Sequence, residues 1–183
     1  MRKLVLLSVL AACVVAYRPE PVRAASELEP WCVAQGASWH GDTNTCIVFS
    51  VDATVSETLA ILSTETLQNH RTITNQGDID NDGTIDNFGN IANHGDIHNA
   101  GGIYSYMRGK IANVGSINND GTIGNYGHVN NYGTISNGAT INNFGIIYNL
   151  CMSVFIGRPP EDTIGGVTYN LDICGFMPMV ARD

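Results

Sequence analysis

From Leu67 to Ile147 an aliphatic residue returns every six positions, a period that limits the possible fold more than any other feature of the chain. The series runs Leu67, Ile73, Ile79, Ile85, Ile91, Ile97 and Ile103, takes one eight-residue step, and continues through Ile111, Ile117, Ile123, Val129, Ile135, Ile141 and Ile147. Asn follows two residues after nearly every one, from Asn69 to Asn149, and Gly two further on, from Gly77 to Gly145. The unit is I-x-N-x-G-x. A period of six fits neither a helix of 3.6 residues per turn nor a heptad, whereas Ile, Asn and Gly share one parity, as one face of an extended strand requires. The segment therefore reads as short strands joined at corners of Asn or Gly, residues that tolerate left-handed backbone, and wound into a β-solenoid with each Ile toward the axis.

The residue between Asn and Gly faces outward, and its identity reports how many units close one coil. Every third unit gives His70, Phe88, Tyr106, Tyr126 and Phe144; the next set gives Gln76, His94, Val114, Tyr132 and Leu150; the third gives Asp82, Ala100, Asp120 and Gly138. One column is aromatic and another is small or acidic, which favours three hexads per triangular coil over two. A longer echo agrees: IDNDGTIDNFG at Ile79 and INNDGTIGNYG at Ile117 lie 38 residues apart, two coils plus the two extra residues of the octad Ile103 to Lys110. The fold class is all-β. Fourteen units make nearly five coils, a rod segment of about 20 to 25 Å at the usual strand spacing. Asn residues that face inward or sit at corners are expected to stack as amide ladders.

The flanks differ in composition. Val55, Ile61 and Leu67 already stand six apart, so the coil is expected to begin before the Asn-rich units, near Ile47. The boundaries drawn from these patterns are a signal segment at residues 1–24, an N-terminal disulfide cap at 25–54, the solenoid at 55–150 and a C-terminal disulfide cap at 151–183, since arrays need closed ends. Residues 1–24 carry Arg2 and Lys3, an apolar run too short to span a bilayer, and small residues Val22 and Ala24 at the cleavage positions. A competing reading is lipidation at Cys13, in Leu10-Ala11-Ala12-Cys13, which resembles a bacterial lipobox and would tether the protein to a membrane. Both routes place it at the cell surface or outside the cell. In that oxidising setting Cys32 is expected to pair with Cys46, and Cys151 with Cys174, a zinc site being the alternative.

Losing residues 1–24 removes four of the 9 basic residues and one of the 17 acidic ones, leaving 5 against 16 and a formal charge of −11. Nucleic acid and anionic lipid both need a basic face, so neither is expected as a partner. The hexads resemble the GTINN-type arrays of secreted microbial β-solenoid proteins, and are more distantly similar to the N-x-G-x-I corners of filamentous-haemagglutinin-type adhesin repeats. The resemblance covers about residues 55 to 150. It implies a solenoid in an adhesin, surface fibre or exoprotein, and brings no catalytic residues with it.

Four features carry candidate chemistry. Asp78, Asp80 and Asp82 occupy positions 1, 3 and 5 of a calcium-loop pattern, with Asp86 nearby, but Gly89 stands where the bidentate Glu belongs. The readings are a calcium site or a solvated acidic face. Thr84, Thr122 and Thr140 share a column interrupted at Gly102, which suits ice binding or plain strand propensity. Phe88, Tyr106, Tyr126 and Phe144 form an aromatic stripe for sugar stacking or rod-to-rod contact, unless Phe155, Phe176 and Met177 of the C-terminal segment cover it. Beside it the octad is expected to bulge, placing Arg108 and Lys110 against a neighbouring subunit. Hexapeptide helices include acyltransferases and a zinc carbonic anhydrase, and of His40, His70, His94, His98 and His128 the pair His94 and His98 could approach a metal, but the two sit at different points around the coil with no recognisable nucleophile or base paired with them. The expected function is a non-enzymatic extracellular structural or adhesive solenoid that self-associates, end to end, into fibres. The alternative is a monomeric module binding ice, glycan or calcium through one face.

Overall fold

The computed structural model describes residues 26–150, 153–162 and 166–170. Within them the chain is a β-solenoid of about seven coils, each with three short strands that pair in parallel with the coils on either side. The first face runs from β2 (Thr45–Val48) through Thr66–Asn69, Thr84–Asn87, Gly102–Ser105, Thr122–Asn125 and Thr140–Asn143 to Glu161–Asp162. The second runs from β3 (Ala53–Val55) through Thr72–Asn75, Asn90–Asn93, Lys110–Asn113, His128–Asn131 and Ile146–Asn149 to Val167–Asn170. The third runs from β4 (Thr58–Ile61) through Asp78–Asn81, Asp96–Asn99, Ser116–Asn119 and Thr134–Asn137 to Val154–Gly157. The triangular coil of three hexads expected from the outward columns is therefore the architecture adopted. Parallel pairing extends beyond the fourteen regular units at both ends, to a length of about 30 Å for seven coils at the usual strand spacing.

Register explains the period. Ile85, Ile103, Ile123 and Ile141 lie directly over one another on the first face, as do Ile79, Ile97, Ile117 and Ile135 on the third, and all are buried. Each such side chain removed from water contributes roughly 1.5–3 kcal/mol. The axis is filled by these chains. Asn two residues later also points inward and is buried, and its side-chain NH₂ donates to the Asn carbonyl of the next coil: Asn81 to Asn99 at 2.6 Å, Asn99 to Asn119 at 2.6 Å and Asn119 to Asn137 at 2.7 Å. The second amide hydrogen is used as well, as when Asn81 donates to the Gly102 carbonyl at 3.1 Å. Every buried amide in the middle of the array is thus paired along the axis, which is what makes a polar residue tolerable there.

The corner glycines serve a purpose other than the one expected. Among the described residues positive φ occurs only at Asn44, Gly36 and Gly157, so neither the repeat Asn nor the repeat Gly adopts left-handed backbone. What excludes a side chain is the coil below. A Cβ placed on Gly95 would stand 1.9 Å from the Gly77 carbonyl oxygen, and one on Gly115 would stand 2.0 Å from that of Gly95. The glycines stack because adjacent corners touch.

The N-terminal end is closed. Helix α1 (Leu28–Ala34) lays Leu28 and Cys32 over the open end of the core, and Cys32 is bonded to Cys46, which occupies the inward position that Leu67 takes one coil later. The short strand β1 (Ser38–His40) pairs antiparallel with β2 and ends the first sheet. Side chains from the cap then occupy the edge of β3, with the Thr54 amide donating to Gln35 at 2.9 Å and the Trp31 indole donating to the Thr54 carbonyl at 3.1 Å. Beside β4, the Leu62 amide donates to Glu65 at 2.8 Å, and Ser26 donates to the other oxygen of the same carboxylate. Bonds of this kind leave fewer free ladder groups for a second chain. At the other end residues 153–162 and 166–170 continue the three faces as a further coil, with Phe155 in the Ile column. The pair Cys151 and Cys174 lies outside the described residues, as do Cys13, Phe176 and Met177.

Candidate functional site

A solenoid exposes two outward columns per face and one at each corner, so side chains that matter for recognition must come from those columns. The acidic stretch divides among four of them. Asp78 and Asp80 project from the third face, Asp82 stands at the corner after it, and Asp86 belongs to the first face. Asp82 is followed in its column by Ala100 and then Asp120, and Asp80 by His98 and Asn118, the last two 3.3 Å apart. Among the described residues no three carboxylate, His or Cys side chains converge to hold a metal ion, and the four carboxylates named from sequence are not brought together. His94 and His98 likewise sit on different columns, one at a corner and one on the third face.

The Thr column is real but narrow. Thr66, Thr84, Thr122 and Thr140 align on the first face with Gly102 between them, and the neighbouring outward column holds Gln68, Asp86, Tyr104, Gly124 and Asn142. Among the described residues no second file of hydroxyls runs beside it to complete a flat lattice.

The aromatic column is the feature the coil organises most strongly. The rings stand at the corner between the first and second faces and stack along the axis: His70 on Phe88 with centroids 4.8 Å apart, Phe88 on Tyr106 at 4.3 Å, Tyr106 on Tyr126 at 6.2 Å and Tyr126 on Phe144 at 4.6 Å. Interplanar angles of 2° to 11° make this one continuous file. Phe49 closes its N-terminal end edge-on at 5.5 Å from His70. Stacking in this way occupies the ring faces with one another, so the file presents ring edges to the outside, and Phe88, Tyr126 and Phe144 remain 36% to 43% exposed. An edge of ring hydrogens suits apolar lateral contact, whereas sugar stacking needs an open ring face.

The widest gap in the file coincides with the octad. Two extra residues loop out there, closed by the Gly109 amide donating to the Tyr106 carbonyl at 2.6 Å, and Met107 is 84% exposed at the tip. Beside the gap lies a hollow of about 680 Å³ bounded by Tyr104, Tyr106, Tyr126, Met107, Asp86 and Arg108. The Tyr106 hydroxyl donates to Asp86 at 3.2 Å. Burial pushes the Asp86 carboxyl above its ordinary value near 3.8, against the opposing pull of hydrogen bonds from Tyr106 and Gln68, and burial together with the Asp86 charge raises the Tyr106 phenol, which stays a neutral donor. Sequence reasoning placed Tyr106 and Tyr126 in this region but missed Tyr104, because it sorted only the outward residue between Asn and Gly and left the one between Ile and Asn unread. The signal available was the pair of glycines around it.

Among the described residues no helix is long and apolar enough to cross a membrane. No protein-family model, curated protein or solved structure matches the chain.

Proposed function

We propose that this structural repeat protein is a non-enzymatic extracellular adhesive rod that acts through its side, using the aromatic file as the contact line. The observation that carries the reading is the file itself: five stacked rings from His70 to Phe144, held in register by the coil, with their edges outward. Contiguous exposed apolar lines on otherwise polar proteins mark contact surfaces. The extracellular setting is supported by the apolar leader, by the Cys32–Cys46 bond and by the likeness of the hexads to secreted GTINN-type arrays. The acidic mature chain favours neutral or cationic surfaces over nucleic acid.

Lateral contact is favoured over end-to-end growth because of the cap. Extension by strand pairing needs two open ends, and here α1, β1 and the side chains bonded to Thr54 occupy one of them. Fibre formation end to end would require this cap to move aside.

The test compares the oxidised protein, residues 25–183, with the double variant Tyr126→Ser, Phe144→Ser. The unmodified protein is expected to be retained on insoluble extracellular matrix particles or to associate side by side at micromolar concentration, as read by co-sedimentation and sedimentation velocity. The variant should lose both by at least about tenfold in affinity, the equivalent of one or two apolar contacts. Equal retention of the two proteins would overturn the reading.

A further inference from the structure

In an array this regular, departures from the unit are informative, and four of them fall within two neighbouring coils, three of these around one hollow. Among the fourteen units only one has Gly before its Ile, Gly102, and only one has Gly between Ile and Asn, Gly124. Both lie against Tyr104. A Cβ on Gly102 would approach Tyr104 Cε2 to 2.7 Å, and one on Gly124 would approach Tyr104 Cδ1 to 2.9 Å. At the same two outward positions the neighbouring coils carry Thr84 and Thr122, or Asp86 and Asn142. Tyr104 therefore reclines along the first face, over ground that side chains occupy elsewhere, and one face of its ring is turned away from the sheet. The third departure is Ser105, which stands where every other unit from Leu67 to Ile147 places the inward Asn. The fourth is the octad, which opens the ring file to 6.2 Å between Tyr106 and Tyr126 and lifts Met107 and Arg108 beside the same hollow.

We infer that this hollow is a carbohydrate subsite that receives one pyranose ring of a neutral polysaccharide on Tyr104, between the Asp86 carboxylate and the Arg108 guanidinium. The inference rests on the lateral adhesive reading and names its ligand class. The aromatic file cannot stack a sugar because its faces are in use, whereas Tyr104 offers an aromatic face to the C–H side of a sugar ring. The polar groups suit hydroxyls. Asp86 is acceptor-only when ionised, Arg108 is donor-only, and a sugar hydroxyl serves both. One carboxylate and one guanidinium balance in charge, which disfavours an anionic or cationic ligand relative to a neutral one. The volume, about 680 Å³, lies within the usual range for small-ligand sites.

The probes are soluble neutral oligosaccharides: cellohexaose, xylohexaose, laminarihexaose and chitohexaose, each titrated at millimolar concentration into the oxidised protein and followed by calorimetry and NMR. Saturable binding of at least one is expected. Tyr104→Ala and Arg108→Ala should each weaken it about tenfold or more, and Tyr132→Ala, on a different corner, should leave it unchanged. Because Arg108 lies on the exposed octad loop, its replacement tests the site even if Tyr104→Ala folds poorly. Absence of saturable binding by all four sugars overturns the inference, as does binding that neither variant weakens. Matrix retention is read on the same samples. Retention without sugar binding removes the subsite and keeps the adhesive reading, while sugar binding without retention does the reverse.

Discussion

At the scale of the residue, each position of the hexad answers to one physical demand. Ile fills the axis, Asn pairs its amide with the coils on either side, and Gly lets two corners touch. The outward positions are free of those demands, and Asp86 illustrates what a charged side chain meets there. Burial raises its carboxyl above the ordinary value near 3.8. A raised carboxyl stabilises the fold in its protonated form, so its contribution is present below the ordinary value and is lost as pH rises through the raised one. Asp86→Asn keeps an oxygen to accept from Tyr106 and removes the buried charge. The variant is expected to melt at higher temperature than the parent at neutral pH, with the difference closing as pH falls to about 4. A lower melting temperature at neutral pH would show that the hydrogen bonds from Tyr106 and Gln68 outweigh desolvation.

At the scale of the element, the Asn ladders have direction. Each NH₂ donates toward the C-terminal coil, so every ladder begins with a carbonyl oxygen that needs a donor from the coil before it. On the second and third faces the coil before offers none, since Val55 stands in register with Asn75 and Ile61 with Asn81, and the side-chain oxygens of Asn75 and Asn81 are buried without a partner. Two substitutions should therefore differ in sign from simple hydrophobicity. Asn99→Ala breaks a ladder in its middle, orphans groups on Asn81 and Asn119, and is expected to cost about 2–4 kcal/mol in denaturant unfolding. Val55→Asn puts an amide in the core yet supplies the donor that Asn75 lacks. It should cost less than Asn99→Ala, and a larger cost would mean the ladder ends are satisfied in some other way.

The same ladders show how far sequence reading reaches. The three-sided coil was legible because the period survives in fourteen units and the outward columns sort by chemistry. The phase of the first coil was not. Val55 and Ile61 stand six apart from Leu67 and suggest one core file, but they occupy the Asn positions, while Ala53 and Leu59 take the Ile positions and an eight-residue step leads to Leu67. Aliphatic residues fit either inward position, so spacing alone cannot distinguish them. The calcium-loop spacing of the acidic quartet does not carry into space, because the chain turns a corner every six positions: Asp78 and Asp80 share the third face, Asp82 stands at the corner and Asp86 lies on the first face. Tyr104 escaped notice because its setting depends on Gly124, twenty residues on and one coil away.

At the scale of the whole molecule, the described chain is a rod closed at its N-terminal end, and the proposed function places its contacts along the side. The rigidity needed to hold five rings in register comes from parallel pairing on three faces, and the disulfide ties the cap to the first coil. The claim that the side and not the end makes contact is tested most directly by hydroxyl-radical footprinting of the protein free and bound to matrix particles, or assembled. The account predicts that Phe88, Tyr106, Tyr126 and Phe144 become protected on binding while Trp31 and Trp39 at the capped end react unchanged. Protection of the two tryptophans with the aromatic file still reactive would contradict it, and would return the cap to the centre of the mechanism.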